Sequence, residues 1–281
     1  MEMINGRRHP VVNEIKELKK RAARDQSGLA FIEGRRLVTE ALTQKGARAA
    51  VKYICMSESF AGGAGYAEIL SRAAEFDIKL YLTRDYVFEA IAVTRHPQGL
   101  LAVIGTACYS LSDMTGRVCG RNRLLLLDRV SDPGNAGGMV RTAWAAGISG
   151  VIFSEGCVDA YEPKVTRATM GGVFHVPFLR GADLAKIINE LRAGGYEIYA
   201  ASAPKRDADR VLDCFNGAYG AGDVALIIGG EAFGVSCELM EMCDASLSIP
   251  MPGGAESLNA GVAAGILMYE LVRRERRDAL C

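Results

Sequence analysis

Ile249-Pro-Met-Pro-Gly-Gly-Ala-Glu-Ser-Leu-Asn-Ala-Gly-Val-Ala-Ala-Gly-Ile-Leu-Met-Tyr-Glu270 decides how the rest of the chain is read. It starts at the end of a short apolar run, Ser246 to Ile249. It then crosses a loop holding Pro250, Pro252, Gly253 and Gly254, and enters a second apolar run for which Ser257 stands in N-cap position. Strand, loop and helix in that order form the kind of junction at which α/β sheets bind ligands, outside the carboxyl ends of their strands. A loop so rich in Pro and Gly predicts a backbone that something approaches closely. Two other blocks have the same character: Leu124 to Gly147, with Asp132-Pro-Gly-Asn135 and Arg141, and Leu226 to Gly234, with Gly229-Gly-Glu231.

The 281 residues, 49% hydrophobic and 23% charged, suffice for two domains with separate cores. No apolar run reaches the ~18 residues of a membrane span, and the charged start is not followed by a signal-peptide core, so a cytoplasmic protein without membrane partners is expected. Eight cysteines without a Cys-x-x-Cys pair read as reduced, mostly buried thiols; neither a zinc site nor a disulfide framework is indicated, and no metal is expected. Charge is uneven. Met1 to Ala107 holds sixteen basic against twelve acidic residues, net +4, and the remainder is net −4. A basic front half points weakly to a polyanionic partner, and ordinary surface charge accounts for it as well.

Val11, Ile15 and Leu18 recur at helical spacing among Lys16, Lys19, Lys20, Arg21 and Arg24, predicting one basic amphipathic helix from Pro10 to about Arg24. Strands at Leu29–Ile32, Ala49–Met56, Ile78–Leu82 and Leu100–Thr106 alternate with helices, giving a small α/β domain over residues 1–107. Periodicity lapses between Cys108 and Asn122, which reads as the linker 108–122. From 123 to 281 strand and helix alternate again, and Leu124–Leu127, nearly all leucine, fits a strand buried on both faces of a parallel sheet. The second domain is therefore a doubly wound α/β fold.

Neither the dinucleotide fingerprint nor a P-loop is present, and His9, His96 and His175 form no pair with a nucleophile that the sequence can identify. The junctions carry Asn135, Arg141, Glu231, Ser257 and Asn259 instead. Asn135 and Ser257 could serve only as helix caps. Glu231, beside two glycines at a strand end, points into the crevice. An Arg and a Glu aimed at one cleft lined by backbone suit a substrate with a phosphate or ribose and a cofactor held largely by main chain.

Three blocks, Leu127-Asp-Arg-Val-Ser-Asp-Pro-Gly-Asn-Ala-Gly-Gly-Met-Val-Arg-Thr-Ala143, Ile227-Ile-Gly-Gly-Glu-Ala-Phe-Gly234 and Ile249 to Asn259, resemble the ordered motifs of the SpoU (TrmH-type) ribose 2′-O-methyltransferases of the SPOUT class. Tyr161 to Gly172 is similar to the family's link between the first two motifs. Phe31-Ile-Glu-Gly-Arg-Arg-Leu-Val-Thr-Glu-Ala41 resembles the ribosomal-protein-like RNA-binding module often attached to these enzymes. The resemblance implies a deep trefoil knot in the second domain, a homodimer through that domain, S-adenosylmethionine as cofactor and RNA, most simply ribosomal RNA, as substrate. It places the cofactor at Gly229, Gly230, Ile249, Met251 and Leu258. RNA contacts are expected from Arg21, Arg35, Arg36 and Arg167.

The family assigns activation of the ribose hydroxyl to the arginine matching Arg141. A guanidinium stays protonated and is a poor base, so stabilisation of phosphate and of the forming alkoxide is its minimum role. Asn135 and Glu231 would orient Arg141 and the ribose, and Ser257 and Asn259 would hold substrate phosphate or the methionine end of the cofactor. The small residues Ala260, Gly261, Ala263, Ala264 and Gly265 would permit close packing, across a dimer or within the chain. A tRNA ribose methyltransferase and a non-catalytic RNA-binding assembly factor remain alternatives.

Overall fold

Strands and helices alternate along the chain and assemble into two sheets. The computed structural model describes residues 1–43, 50–116, 120–202 and 211–278. They divide into two compact units, Met1–Cys108 with Tyr161–Phe174, and Tyr109–Ala160 with His175–Cys281.

The first unit runs β1 (Glu2–Ile4), α1 (Pro10–Glu17), α2 (Arg21–Ser27), β2 (Leu29–Glu33), α3 (Arg35–Thr43), β3 (Val51–Ser57), α4 (Glu58–Ala61), α5 (Tyr66–Glu75), β4 (Lys79–Thr83), α6 (Asp85–Ile91) and β5 (Leu100–Gly105). Its sheet has the order β1-β4-β3-β5-β2; β5 is antiparallel to both neighbours and the other pairs are parallel. Val11, Val12 and Ile15 of α1 pack with Phe31, Val87, Phe88 and Val103 in the core.

The single helix expected from Pro10 to Arg24 is two. Leu18 closes α1, Lys20 is extended, and the chain turns again at Arg21. Arg24 accounts for the break. It is only 2% exposed and donates to the Leu18 carbonyl at 2.9 Å and the Lys19 carbonyl at 3.1 Å, satisfying groups left open where α1 ends. It holds the turn and is not part of a solvated basic face.

The second unit opens with α7 (Ser112–Thr115), a short helix within the stretch read as linker, whose Met114 is buried in the core. Then come β6 (Arg123–Asp128), α8 (Pro133–Ala146) and β7 (Gly150–Ser154). The chain next contributes α9 (Pro163–Ala168) to the first unit, where it packs on β2. It returns as β8 (Phe178–Ala182), α10 (Leu184–Ala193), β9 (Glu197–Ser202), β10 (Val211–Asp213), β11 (Val224–Gly229), α11 (Cys237–Glu241), β12 (Ala245–Ser248) and α12 (Ala260–Asp278).

These seven strands form a parallel sheet, β10-β12-β9-β11-β6-β7-β8. Every residue of β6 is buried, as a strand covered on both faces requires. From β6 the chain steps outward through β7 to β8 and then crosses to the other side. The order therefore reverses between β6 and β11, where Asp128 pairs with Gly229 at the strand ends. That reversal creates the crevice in which doubly wound sheets bind ligands.

Candidate active site

Three loops meet outside the β6–β11 reversal, and each is fixed by its own chemistry. After β6, Asp132 caps α8 by accepting the Asn135 N–H at 2.7 Å, with Pro133 at the first helical position. Capping thus falls to Asp132 and leaves the Asn135 side chain available. Before α12, Asn259 is the capping residue: its Oδ1 accepts from the Gly261 and Val262 amides at 2.9 and 3.2 Å. The helix expected from Leu258, capped by Ser257, starts at Ala260 instead.

Asn259 and Asn135 are joined. Asn259 Nδ2 donates to Asn135 Oδ1 at 2.9 Å, and Asn135 Nδ2 donates to Glu231 Oε1 at 2.7 Å. The other Glu231 oxygen receives the Ser131 amide and hydroxyl at 3.4 Å. One polar relay therefore ties the starts of α12 and α8 to the loop after β11. Partial burial pushes the Glu231 carboxyl up, but the Asn135 amide and backbone N–H groups of Glu231, Ser131 and Asp132 outweigh it and hold the group below its ordinary range. Replacing Asn259 with Ala should remove the α12 cap, costing about 1 kcal/mol, and release Asn135. A lowered melting temperature together with a slower turnover is expected; an unchanged rate would show the relay to be structural only.

The loop after β11 is folded back on itself. The Gly230 amide donates to the Asp128 carbonyl at 2.8 Å and the Gly234 amide to the Gly230 carbonyl at 2.9 Å. A Cβ at Gly229 would stand 1.9 Å from the Gly234 carbonyl carbon, and one at Gly230 would stand 2.5 Å from the Arg129 oxygen. Here only glycine fits. No such crowding exists at Gly253 or Gly254, where nothing of the chain lies within 4 Å of a built Cβ. Within the chain itself, the close backbone approach is in the loop after β11. Gly254, at φ +77°, is required for its left-handed backbone.

Asp128 was not among the residues singled out from sequence. Buried at the end of β6, it accepts the Ser236 amide at 2.8 Å and takes the Arg129 guanidinium at 3.0 and 3.2 Å, clamping the far side of the same loop. Its position as the first charged residue after four leucines was the available signal.

The ends of β9, β11 and β12, the loop after β11 and the segment leading into α12 line a cleft of about 460 Å³. All five residues expected to hold the cofactor, Gly229, Gly230, Ile249, Met251 and Leu258, line it, as do Glu231, Ser257 and Asn259. Apolar walls from Leu247, Ile249 and Leu267, a backbone edge without side chains, and a polar end at Ser202, Ser257 and Asn259 suit an adenosyl group with a charged tail. Arg141 is placed differently. It lies on α8 but outside the cleft, exposed and without a polar partner among the described residues. The RNA-directed arginines also separate. Arg21 pairs with Asp25 and Arg35 with Glu68, whereas Arg36 and Arg167 line one cavity in the first unit.

Residues 122–269 match the SpoU rRNA Methylase family and residues 9–102 match the MRM3-like substrate binding domain. The chain belongs to the SpoU methylase family. Among SpoU relatives, the 23S rRNA (guanosine(2553)-2′-O)-methyltransferase RlmP of Bacillus subtilis is 32% identical over 275 residues, 96% of this chain and 99% of the relative. The AdoMet-bound rRNA methyltransferase from Sinorhizobium meliloti superposes with a TM-score of 0.82 at 27% identity, covering 97% of this chain and 98% of that one. The SpoU methyltransferase AviRb from Streptomyces viridochromogenes, at 24% identity and a TM-score of 0.79 over 95% of this chain and 98% of that one, shares the fold.

Proposed function

We propose that this SpoU enzyme methylates a ribose 2′-hydroxyl in ribosomal RNA, with S-adenosylmethionine as methyl donor. The observation that carries the reading is the Asn259–Asn135–Glu231 relay, whose two ends, Asn259 and Glu231, line a glycine-edged cleft beside the sheet's reversal point. When bound, the cofactor supplies an electrophilic methyl on a sulfonium. Gly229, Gly230, Ile249, Met251 and Leu258 would hold it. The chain's own residues must then place the hydroxyl in line, within about 3 to 3.5 Å, and stabilise the oxygen as its proton leaves. The relay fixes Asn135 and Glu231 in advance, so little reorganisation remains for the reaction itself. Calorimetry with S-adenosylmethionine and NAD, followed by mapping of methylated riboses in ribosomal RNA from cells with and without the protein, tests the reading. Tight NAD binding, or an unaltered ribose methylation map, would sink it.

The division into an RNA-binding domain over 1–107, a linker over 108–122 and a methyltransferase domain over 123–281, with the C-terminal segment passing through a loop as a trefoil knot, belongs to the same proposal. So does action in the cytoplasm. It agrees with the thiols of Cys55, Cys214, Cys237 and Cys243. No described helix is long and apolar enough to cross a membrane.

We also propose a homodimer through α12. Val262 and Tyr269, one helical face apart by two turns, are 51% and 50% exposed, and Ile266 lies between them. The small residues serve the chain itself: Gly261 and Gly265 face Asn135 and Thr142 of α8, and Ala264 is fully buried. A charge at Gly265 would therefore disturb the fold. Tyr269→Arg is the cleaner test, and light scattering should show it shifting a dimer to monomer. A monomeric unmodified protein refutes the idea.

Glu231 sets an expectation for pH. A carboxyl held below its ordinary value of 4.5 supports the relay fully above that value and loses it only as pH falls through the lowered one. The methylation rate should show no acidic limb from Glu231 between about pH 5 and 9. A limb in that window that disappears in Glu231→Gln would contradict this.

A further inference from the structure

Phe233 is 88% exposed, more than any other large hydrophobic side chain among the described residues. It stands in the loop after β11, two positions beyond Glu231. We propose that its ring stacks on an unpaired base at the methylation site and holds that base out of the RNA stack while the 2′-hydroxyl is aligned. The inference rests on the reading of the chain as an RNA ribose methyltransferase and adds to it a residue that acts on the base.

The loop leaves the ring few other places to go. An antiparallel bridge joins Gly230 to Gly234. The Gly230 amide is fixed on the Asp128 carbonyl and the Ser236 amide on the Asp128 carboxylate. Gly234 turns at φ +66°. Between the bridged glycines, Glu231 is held by Asn135 and Ser131. Residues 231–233 are thus a closed tip, anchored at both ends and at its first side chain, with no slack to fold the ring inward. A phenyl ring kept in water by such a loop gains from any flat apolar face laid upon it.

The surroundings select the occupant. Gly230, Glu231 and Gly234 line the cofactor cleft, so the tip begins and ends at the cleft wall. Two residues of chain span at most about 7 Å, which keeps Phe233 close to the carboxylate proposed to orient the ribose. Among the described residues, the loops after β6 and β11 and the segment before α12 hold no other exposed large hydrophobic side chain. A stable contact with a second copy draws on about 20 to 30 residues a side around an apolar centre, and a lone ring two positions from a carboxylate is no such centre. A single base needs one ring only. Stacking uses the π face that all four bases share, and it requires the base to be unpaired. Phe233 offers no hydrogen bond, so it selects an unpaired base over a paired one without choosing among the four.

The test uses the full chain, ribosomal RNA from cells lacking the protein, and S-adenosylmethionine with a labelled methyl group, under single-turnover conditions. Phe233→Ala should slow methyl transfer at saturating RNA about tenfold or more, as loss of one base–aromatic stack does. Phe233→Leu, apolar but without a ring, should be as slow, and Phe233→Tyr should keep most of the rate. Affinity for S-adenosylhomocysteine by calorimetry, melting temperature, and mass by light scattering should match the unmodified protein in all three, because the side chain is exposed. An Ala or Leu variant at the unmodified rate, or a Tyr variant as slow as Ala, overturns the proposal. So does weaker S-adenosylhomocysteine binding in Phe233→Ala, which would make the ring a cover for the cofactor. A lower mass in that variant would make the ring a contact between copies, and overturns it too. An unmodified protein that binds S-adenosylhomocysteine yet transfers no methyl to ribosomal RNA strikes instead at the methyltransferase reading, and the stacking role falls with it.

Discussion

Arg141→Ala is expected to bind S-adenosylmethionine as the unmodified protein does and to methylate RNA at least about a hundredfold more slowly. Loss of one donor that acts mainly in the transition state has that size. Affinity for the cofactor should be spared because Arg141 lies outside the cleft that would hold it. Arg141→Lys separates the roles. Lysine keeps the charge and loses the planar fork that can hold ribose and phosphate together. If Arg141 clamps phosphate, Lys recovers part of the rate and the Ala defect appears largely as weaker RNA binding. If it removes the proton, the Lys variant's rate climbs as pH approaches the lysine's own pKa. Single-turnover kinetics with both variants decide it, and an Ala variant at the unmodified rate would remove α8 from the catalytic centre.

Gly229→Ala should lose S-adenosylmethionine affinity by a hundredfold or more, a larger effect than a single methyl group ordinarily has in a pocket. The added carbon would meet the Gly234 carbonyl carbon at 1.9 Å and the Val235 nitrogen at 2.1 Å, both backbone, so no side chain can swing aside. The loop must open, and Glu231 moves with it. The sheet beneath should survive, because Val224 to Ile228 remain paired to β6 and buried. Gly253→Ala is the matched control, since no atom of the chain is within 4 Å of its Cβ. Calorimetry should show binding lost in the first variant and kept in the second, with far-ultraviolet circular dichroism alike in both.

Much of the site was legible because its chemistry is written in short blocks. Glu231 beside two glycines, and Pro250 to Asn259 before an apolar run, each identify a strand-to-helix junction from neighbours in the chain. What escaped depends on partners far apart. That Asp132 rather than Asn135 caps α8, and that Asn135 is then free to join Asn259 to Glu231, is a three-way competition no local pattern expresses. Arg24 looked like one more surface cation because its acceptors are carbonyls, which every residue has. The strands β1 and β10, three residues each, lie at sheet edges and offer no alternation long enough to read; β8, also at an edge, has a single fully buried residue. The leucine run of β6 was the opposite case, since burial on both faces left it no polar position.

The first unit is discontinuous in the chain, closed by Tyr161–Phe174 after the second unit has begun. Tyr161 is fully buried and its hydroxyl accepts the Ala107 amide at 2.6 Å, while α9 seats on β2. Synthesis proceeds from the N-terminus at about 5–20 residues per second. The front sheet therefore emerges from the ribosome lacking one of its covering helices and must wait, with β2 packed by α2 and α3 but not yet by α9, until β6, α8 and β7 have followed it out. Neither unit can be finished as a single uninterrupted segment, and a fusion or truncation cut between Cys108 and Ala160 would leave the front sheet in that unfinished state.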